Sequence, residues 1–226
     1  KVFTYNIRTD SVYRVMHAYR HMRAYRRDIQ AVCDSLVFNG QDSVMTMYHD
    51  PILWQEGQQL LGEEIKAFFN DSTIDSVQVL RQALSVERLD SIHYNQITGN
   101  EMHTYFRDGE AYLSTSIGNV YVNYFHMGED SILADMNRTE TTFLKIFLKD
   151  RKVDRIWMPA ATGSFYPIPL IPAEVLYVEN FAWFDYVRPV DKHDIFEWRP
   201  KKAGSELKKI TRREAPKQKL SNIKKK

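Results

Sequence analysis

Cysteine is almost absent from this 226-residue chain: Cys33 is the only one, which excludes an intramolecular disulfide and a cysteine-built zinc cage. A single thiol is compatible with either periplasm or cytoplasm. Proline and glycine are scarce too, at 8 and 9 residues, so a mainly ordered chain is expected. No stretch approaches the roughly eighteen consecutive apolar residues that a membrane-spanning helix needs. No transmembrane segment, and a soluble chain, are therefore expected. The opening KVFTYNIRTD has no initiator Met, and no charged region leading into an apolar one. The expectation is that any signal peptide has been removed or trimmed, so its absence is no argument for the cytoplasm.

Motifs of enzyme chemistry are missing as well. There is no GxSxG, no Gly-rich phosphate loop and no Ser/His/Asp arrangement. Of the seven histidines, His17 and His21 are four apart, but no HExxH frames them and the others are scattered. No metal site is expected, since ligands must share a face and a supporting shell. The carboxylates Asp71, Asp75, Asp108, Asp130 and Asp150 could evoke the paired acids of a glycosidase. Their places at chain reversals account for them without chemistry. The expectation is a protein that is not an enzyme and needs no cofactor.

Charge is unevenly placed. Residues 199–226 hold 12 Lys/Arg against 2 Asp/Glu, whereas residues 1–198 hold 19 against 27. The body is therefore acidic and the tail strongly basic, and the pI of about 8.5 does not describe a basic groove on the folded part. No nucleic-acid partner is expected. The tail, with few large apolar residues to offset the entropy of ordering it, is expected to be disordered and dispensable for folding.

What the chain has in abundance is one pattern. IKAFFNDSTIDSVQVL (65–80) reads as strand, polar turn, strand, and MHTYFRDGEAYLSTSIGN (102–119), LKIFLKDRKVDRIWMP (144–159) and, more loosely, CDSLVFNGQDSVMTMY (33–48) repeat it. Before the turns, apolar residues alternate: Ile65, Ala67, Phe69; Met102, Thr104, Phe106; Leu144, Ile146, Leu148. Two-residue periodicity sets each group on one face of a sheet. Returning strands carry Val77 and Val79, Leu113 and Ile117, Ile156 and Met158. The stretch QVLRQALSVERL (78–89) has helical propensity, but its neighbours continue the hairpin pattern and it is read as strand. So many short strands favour an open stack in which each rung buries its apolar face against the next. The predicted fold class is all-β: an elongated, twisted antiparallel β-jellyroll. Three parts are expected: 1–158, the β-jellyroll; 159–198, a Pro- and aromatic-rich C-terminal covering segment; and 199–226, the basic tail. The covering segment is expected on the last rung, leaving the N-terminal rung free to receive a partner strand.

At YRRDIQAVCDSLVFN (25–39), TGNEMHTYFRDGEAY (98–112) and SIGNVYV (116–122), the sequence resembles the OstA-like family of lipopolysaccharide-transport proteins. That family's rung has a Gly-x-Val strand, then a small residue and Asp ahead of a Tyr or Phe strand. Gly118-Asn119-Val120 matches the first element, and Cys33-Asp34 followed by Phe38 matches the second. The resemblance covers about residues 15–160. It departs from the pattern upstream of Asp34, where Tyr19-Arg20-His21-Met22 stands in place of Gly-x-Val.

The resemblance implies an open β-jellyroll in the periplasm whose apolar trough holds the acyl chains of lipopolysaccharide. It also implies edge strands that join other lipopolysaccharide-transport proteins in the route to the outer membrane. The residues expected to line that trough are Ile65, Phe69, Val77, Val79, Met102, Phe106, Leu113, Ile117, Leu144, Leu148, Ile156 and Met158. On periodicity alone they equally describe an ordinary dry core. A structural β-solenoid, and after it a polysaccharide-active enzyme, are the alternatives the residues leave open.

Overall fold

A computed structural model describes residues 2–6, 12–55, 57–70, 73–129, 132–202 and 205. Asp71, Asp130 and most of the basic tail lie outside the described residues. The chain is all-β, as its periodicity predicts. The strands are β1 (Val2–Asn6), β2 (Val12–Tyr25), β3 (Ile29–Asn39), β4 (Val44–Tyr48), β5 (Ile52–Gln55), β6 (Gln58–Leu61) and β7 (Glu64–Asn70). They continue with β8 (Thr73–Arg88), β9 (Tyr94–Arg107), β10 (Glu110–Met127), β11 (Leu133–Lys149), β12 (Lys152–Trp157) and β13 (Ala161–Pro167). All belong to one antiparallel 13-stranded sheet, whose main path runs β1-β2-β3-β4-β7-β8-β9-β10-β11-β12. Residues 78–88 are strand, as read from the sequence, and not helix.

The strands that lie off this path explain how one sheet encloses an interior. β3 pairs with β4 through Ser35–Asn39 and with β5 through Ile29–Val32. β8 pairs with β7 through its first half and with β6 through Leu84–Glu87. β11 pairs with β12 through Lys145–Lys149 and with β13 through Asp135–Thr141. β3, β8 and β11 thus each change a neighbour near the middle, while β9 and β10 run through both parts with the same partners. The sheet is two leaves joined along a crease, the first containing β4, β7 and β12, the second β5, β6 and β13.

The crease is written in the backbone. Register shifts fall between Tyr19 and Met22, Leu80 and Ala83, and Ile117 and Val120. The residues there take left-handed φ in pairs: Arg20 and His21 (64° and 61°), Arg81 and Gln82 (62° and 50°), Gly118 and Asn119 (73° and 49°). His49 and Asp50 (61° and 53°) do the same in the gap between β4 and β5. Paired bulge residues turn a strand sharply without losing the ladder on either side. A non-glycine residue in this region costs about 1–2 kcal/mol, so the crease must be held by something else. At its centre Arg81 donates from Nε to Glu63 Oε2 at 3.0 Å and from a terminal nitrogen to Glu64 Oε2 at 2.8 Å, while Gln82 Nε2 donates to Glu63 Oε1 at 2.7 Å. Both glutamates are buried.

Two apolar clusters lie on opposite sides of the second leaf. The first fills the space between the leaves and joins Ile65, Ala67, Val77, Val79 and Met102 to Ala31, Cys33 and Ala83. The second lies outside and joins Val32, Ile52, Trp54, Leu61, Leu84 and Val86 to Val178, Phe184 and Val187 of the C-terminal segment. The sequence placed the whole of 159–198 on the last rung, and only its first part is there, as β13 paired with β11. After β13 and the 3-10 turn η1 (Ile168–Leu170), the chain runs back across the outer face of the second leaf. It passes through η2 (Asp185–Val187) and η3 (Asp194–Phe196) and reaches β2 at the opposite end.

This strap is held by one cross-strand row. Gln30, Trp54, Gln59, Val86, Gln96, Asn123 and Arg138 are successive register partners on β3, β5, β6, β8, β9, β10 and β11, and so point to one face. Arg138 and Asn123 donate to Val175 O at 2.8 and 3.0 Å, and Gln96 Nε2 donates to Leu176 O at 2.9 Å. Gln59 Nε2 donates to Ala182 O at 2.8 Å and its Oε1 accepts from the Phe184 N–H at 2.7 Å; Gln30 Oε1 accepts from Arg188. Buried amides in a sheet would be costly unpaired, and the strap's backbone supplies their partners.

Cys33 sits in the inner cluster, where burial pushes its thiol up to about 12. Native protein at pH 8 should therefore resist iodoacetamide, with labelling appearing together with global unfolding in denaturant. Rapid labelling in buffer, well before unfolding, would show that the two leaves part in the native state.

Candidate functional site: the interior between the leaves

Register partners share a face, so the inner surface can be read row by row. In the first leaf one row runs Met47, Ile65, Val79, Met102, Ser116, Leu144. The next runs Met45, Ala67, Val77, Thr104, Ser114, Ile146, Ile156. In the second leaf the facing row is Ala31, Leu53, Leu60, Ser85, Ile97, Val122, Thr139, Gly163. Large apolar side chains therefore fill the space at the β3–β9 end. Towards β10–β13 small residues enter these rows, Ser114 and Ser116 on β10 and Gly163 on β13, between the larger Val122, Leu144, Ile146 and Ile156.

The inner face is most exposed at the β12–β13 end. Val153 lies opposite Leu148, Ile156 opposite Ile146, and Phe165 opposite Asn137, all on the inner face. These three apolar side chains are 54%, 51% and 62% exposed. Apolar residues this exposed on the inner face of edge strands leave that end of the interior open to solvent, as a mouth. Along the turn side of the first leaf, a polar-rimmed cavity of about 610 Å³ adjoins Ile74 and Phe106.

The residues predicted from the sequence divide three ways. Ile65, Val77, Val79, Met102 and Leu144 are buried on the inner face, and Phe69 and Phe106 pack half-buried against the same cluster. Leu148 is half-buried and Ile156 exposed at the mouth, while Met158 lies half-buried just past β12. Leu113 and Ile117 are on the other face. The cause is a bulge: Ala111 pairs with Phe106 but Leu113 pairs with Tyr105, so Tyr112 is an extra residue that inverts the alternation. Leu113 and Ile117 instead line a shallow outer depression of about 300 Å³ with His103, Tyr105, Phe143 and Lys145.

The sequence reading missed the inner contributors of the second leaf, Ala31, Cys33, Leu53, Leu60, Ala83 and Val122. Their alternation was visible, but nothing in the pattern said that a leaf folds back to face β7–β9. It also missed Phe165, which stands in a Pro-flanked segment that does not look like strand.

No protein family matches the sequence, and no curated protein does. Among solved structures, the chain is similar to LptH from Pseudomonas aeruginosa, described as the LptA homologous periplasmic component of a lipopolysaccharide transport device. Identity is 12% and the TM-score 0.43, over 61% of this chain and 92% of that one.

Proposed function

We propose that this protein holds the acyl chains of lipopolysaccharide between its two leaves, in the periplasm, as a noncatalytic part of the route to the outer membrane. The observation that carries the reading is the mouth at β10–β13. Val153, Ile156 and Phe165 face inward, yet remain more than half exposed, beside small residues that leave room for a ligand. The motif resemblance at Gly118-Asn119-Val120 and Cys33-Asp34 supports the choice of lipid. Unbranched Met102 and planar Phe106 further in can repack around chains of different length. Other transport proteins join through edge strands. Among the described strands β12 and β13 pair only with β11, so the C-terminal rung, which the strap leaves uncovered, offers its backbone groups to a partner.

A photoreactive residue at Ile156 or Phe165 is expected to crosslink lipopolysaccharide in cells, and one at Phe106 more weakly. The same residue at Lys66 or His103, whose register places them on the outer face, is expected to give none. Labelling that does not distinguish the faces would end this reading. Absence of labelling everywhere would favour a structural stack, a reading that the close-packed inner cluster at the β3–β8 end supports.

A further inference from the structure

The end of the strap presents large apolar side chains to solvent from a turn that is itself held fast. Phe196, the last residue of η3, is 83% exposed, and Val190 just before η3 is 68% exposed. Two exposed apolar residues on a loose loop would be unremarked, but this turn is tied to β2 and closed by its own hydrogen bonds. Arg23 and Arg199 both pair with Asp194, the first residue of η3. Val190 N–H donates to Asp194 Oδ2 at 2.9 Å, and the backbone N–H groups of His193 and Asp194 donate to Asp191 Oδ1. Trp198, itself 40% exposed, stacks on His21 with ring centroids 4.0 Å apart.

Around these apolar tips the charge is basic. Arg188 donates to Gln30, whose amide in turn donates to the backbone carbonyls of Arg26 and Arg27, so the Arg188 side chain comes to the β2–β3 turn that carries those two arginines. Lys192, Lys201 and Lys202 follow along the strap. The acidic residues of the region are fewer than the basic ones: Asp28 pairs with Arg26, Asp185 with Arg188 and Asp194 with Arg23 and Arg199, while Asp191 accepts from backbone N–H groups and Arg27, Lys192 and Lys202 have no acidic partner among the described residues. Glu197 lies 3.9 Å from Arg199. Beyond residue 202 the sequence adds nine Lys/Arg against two Asp/Glu.

We infer that this end of the molecule docks on an anionic bilayer surface. Phe196 and Val190 enter at headgroup depth, and the basic residues around and after them meet the lipid phosphates. Apolar tips alone would suit a protein partner, and a basic tail alone any polyanion. A fixed turn that carries both, with apolar tips among basic residues and a basic tail next in the sequence, fits a surface that is apolar below and anionic above. An acidic body then keeps the remainder of the molecule off the membrane. The inference does not depend on what the interior holds.

The test is sedimentation of the full chain with vesicles of phosphatidylethanolamine and phosphatidylglycerol at 7:3, against vesicles of phosphatidylcholine alone. Binding is expected to the first and not the second, and to fall steeply in 0.5 M salt. The double variant Val190→Ser, Phe196→Ser should lose about tenfold in partitioning with an unchanged melting curve, because both side chains already face solvent. Truncation after Lys202 should cost about fivefold for each basic residue that lies at the surface. Equal binding to both vesicles, no binding to the anionic ones, or full retention by the double variant would overturn the inference. So would retention of soluble acidic protein in place of vesicles.

Discussion

Replacing Arg81 by alanine is expected to destabilise the protein by about 3–5 kcal/mol, the cost of breaking a buried ion pair from one side. Glu63 and Glu64 are 4% and 2% exposed, and Arg81 bridges both. Without it, two adjacent carboxylates remain in the crease with Gln82 and, near Glu64, Lys66 as the side chains beside them. The crease also carries the left-handed φ of Arg81 and Gln82, which the ion network holds in place. At about 2–4 °C per kcal/mol for a chain of this size, thermal unfolding should move down by roughly 10 °C. Substituting neutral groups together, as Arg81→Met with Glu63→Gln and Glu64→Leu, should recover much of the loss, because the desolvated charges leave with the bridge. A single Arg81→Ala variant that melts within 2 °C of the parent would show that the crease is held by its apolar neighbours alone.

That crease marks the boundary between what the sequence states and what it withholds. Strands are legible because the side chains of a half-buried sheet must alternate, and Ile65, Ala67, Phe69 or Leu144, Ile146, Leu148 do so without interruption. Corners are legible where Asp108-Gly109 supplies a left-handed pair, both with positive φ in the structure. The Gly118-Asn119 motif is legible too, and the structure gives its reason. Gly118 has φ of 73°, and a Cβ there would meet the Asn100 side chain at 2.5 Å. Elsewhere the same bend is made by Arg20-His21 and Arg81-Gln82, residues whose identity does not announce left-handed backbone. The motif's departure at Tyr19-Arg20-His21-Met22 is therefore a change of side chains at a conserved geometry within this one molecule, with the same register shift as at Gly118.

Parity is the second thing withheld. A one-residue bulge carries no composition signal, yet at Tyr112 it sends Leu113 and Ile117 to the outer face. The strap is the third. Gln30, Gln59, Gln96, Asn123 and Arg138 look in the sequence like solvent-facing positions of their strands. Only the sheet order puts them in one row, and only the strap's backbone explains why Gln59 and Gln96 are fully buried. The aromatic richness of residues 159–198 signalled that the segment covers something, but which face it covers depends on the second leaf's apolar outer row, Val32, Ile52, Leu61 and Leu84.

Replacing Asp194 by alanine is expected to release the N-terminal-edge half of that strap. The Arg23 side chain is 1% exposed, and burial lowers the pKa of its guanidinium against the opposing pull of Asp194. With Asp194 gone, the guanidinium keeps only Val187 O, at 3.0 Å, as an acceptor among the described residues, and its Nε already has none among them. An uncompensated buried charge costs about 3–5 kcal/mol, which is more than the few strap contacts near η3 can offset. The η3 turn also loses the acceptor for Val190 N–H and the partner of Arg199. The chain's least expensive response is local: residues from about Phe184 onward lift away and Arg23 reaches water. Trp54, fully buried beneath the strap, should then become accessible to acrylamide quenching, and limited proteolysis should cut within 184–199 while the sheet stays intact. Removing the charge from both sides, as Arg23→Met with Asp194→Ala, should restore protection. If Asp194→Ala alone leaves both Trp54 quenching and the proteolytic pattern unchanged, the strap is held by the glutamine row and its apolar contacts, and the arginine cluster is not its clamp.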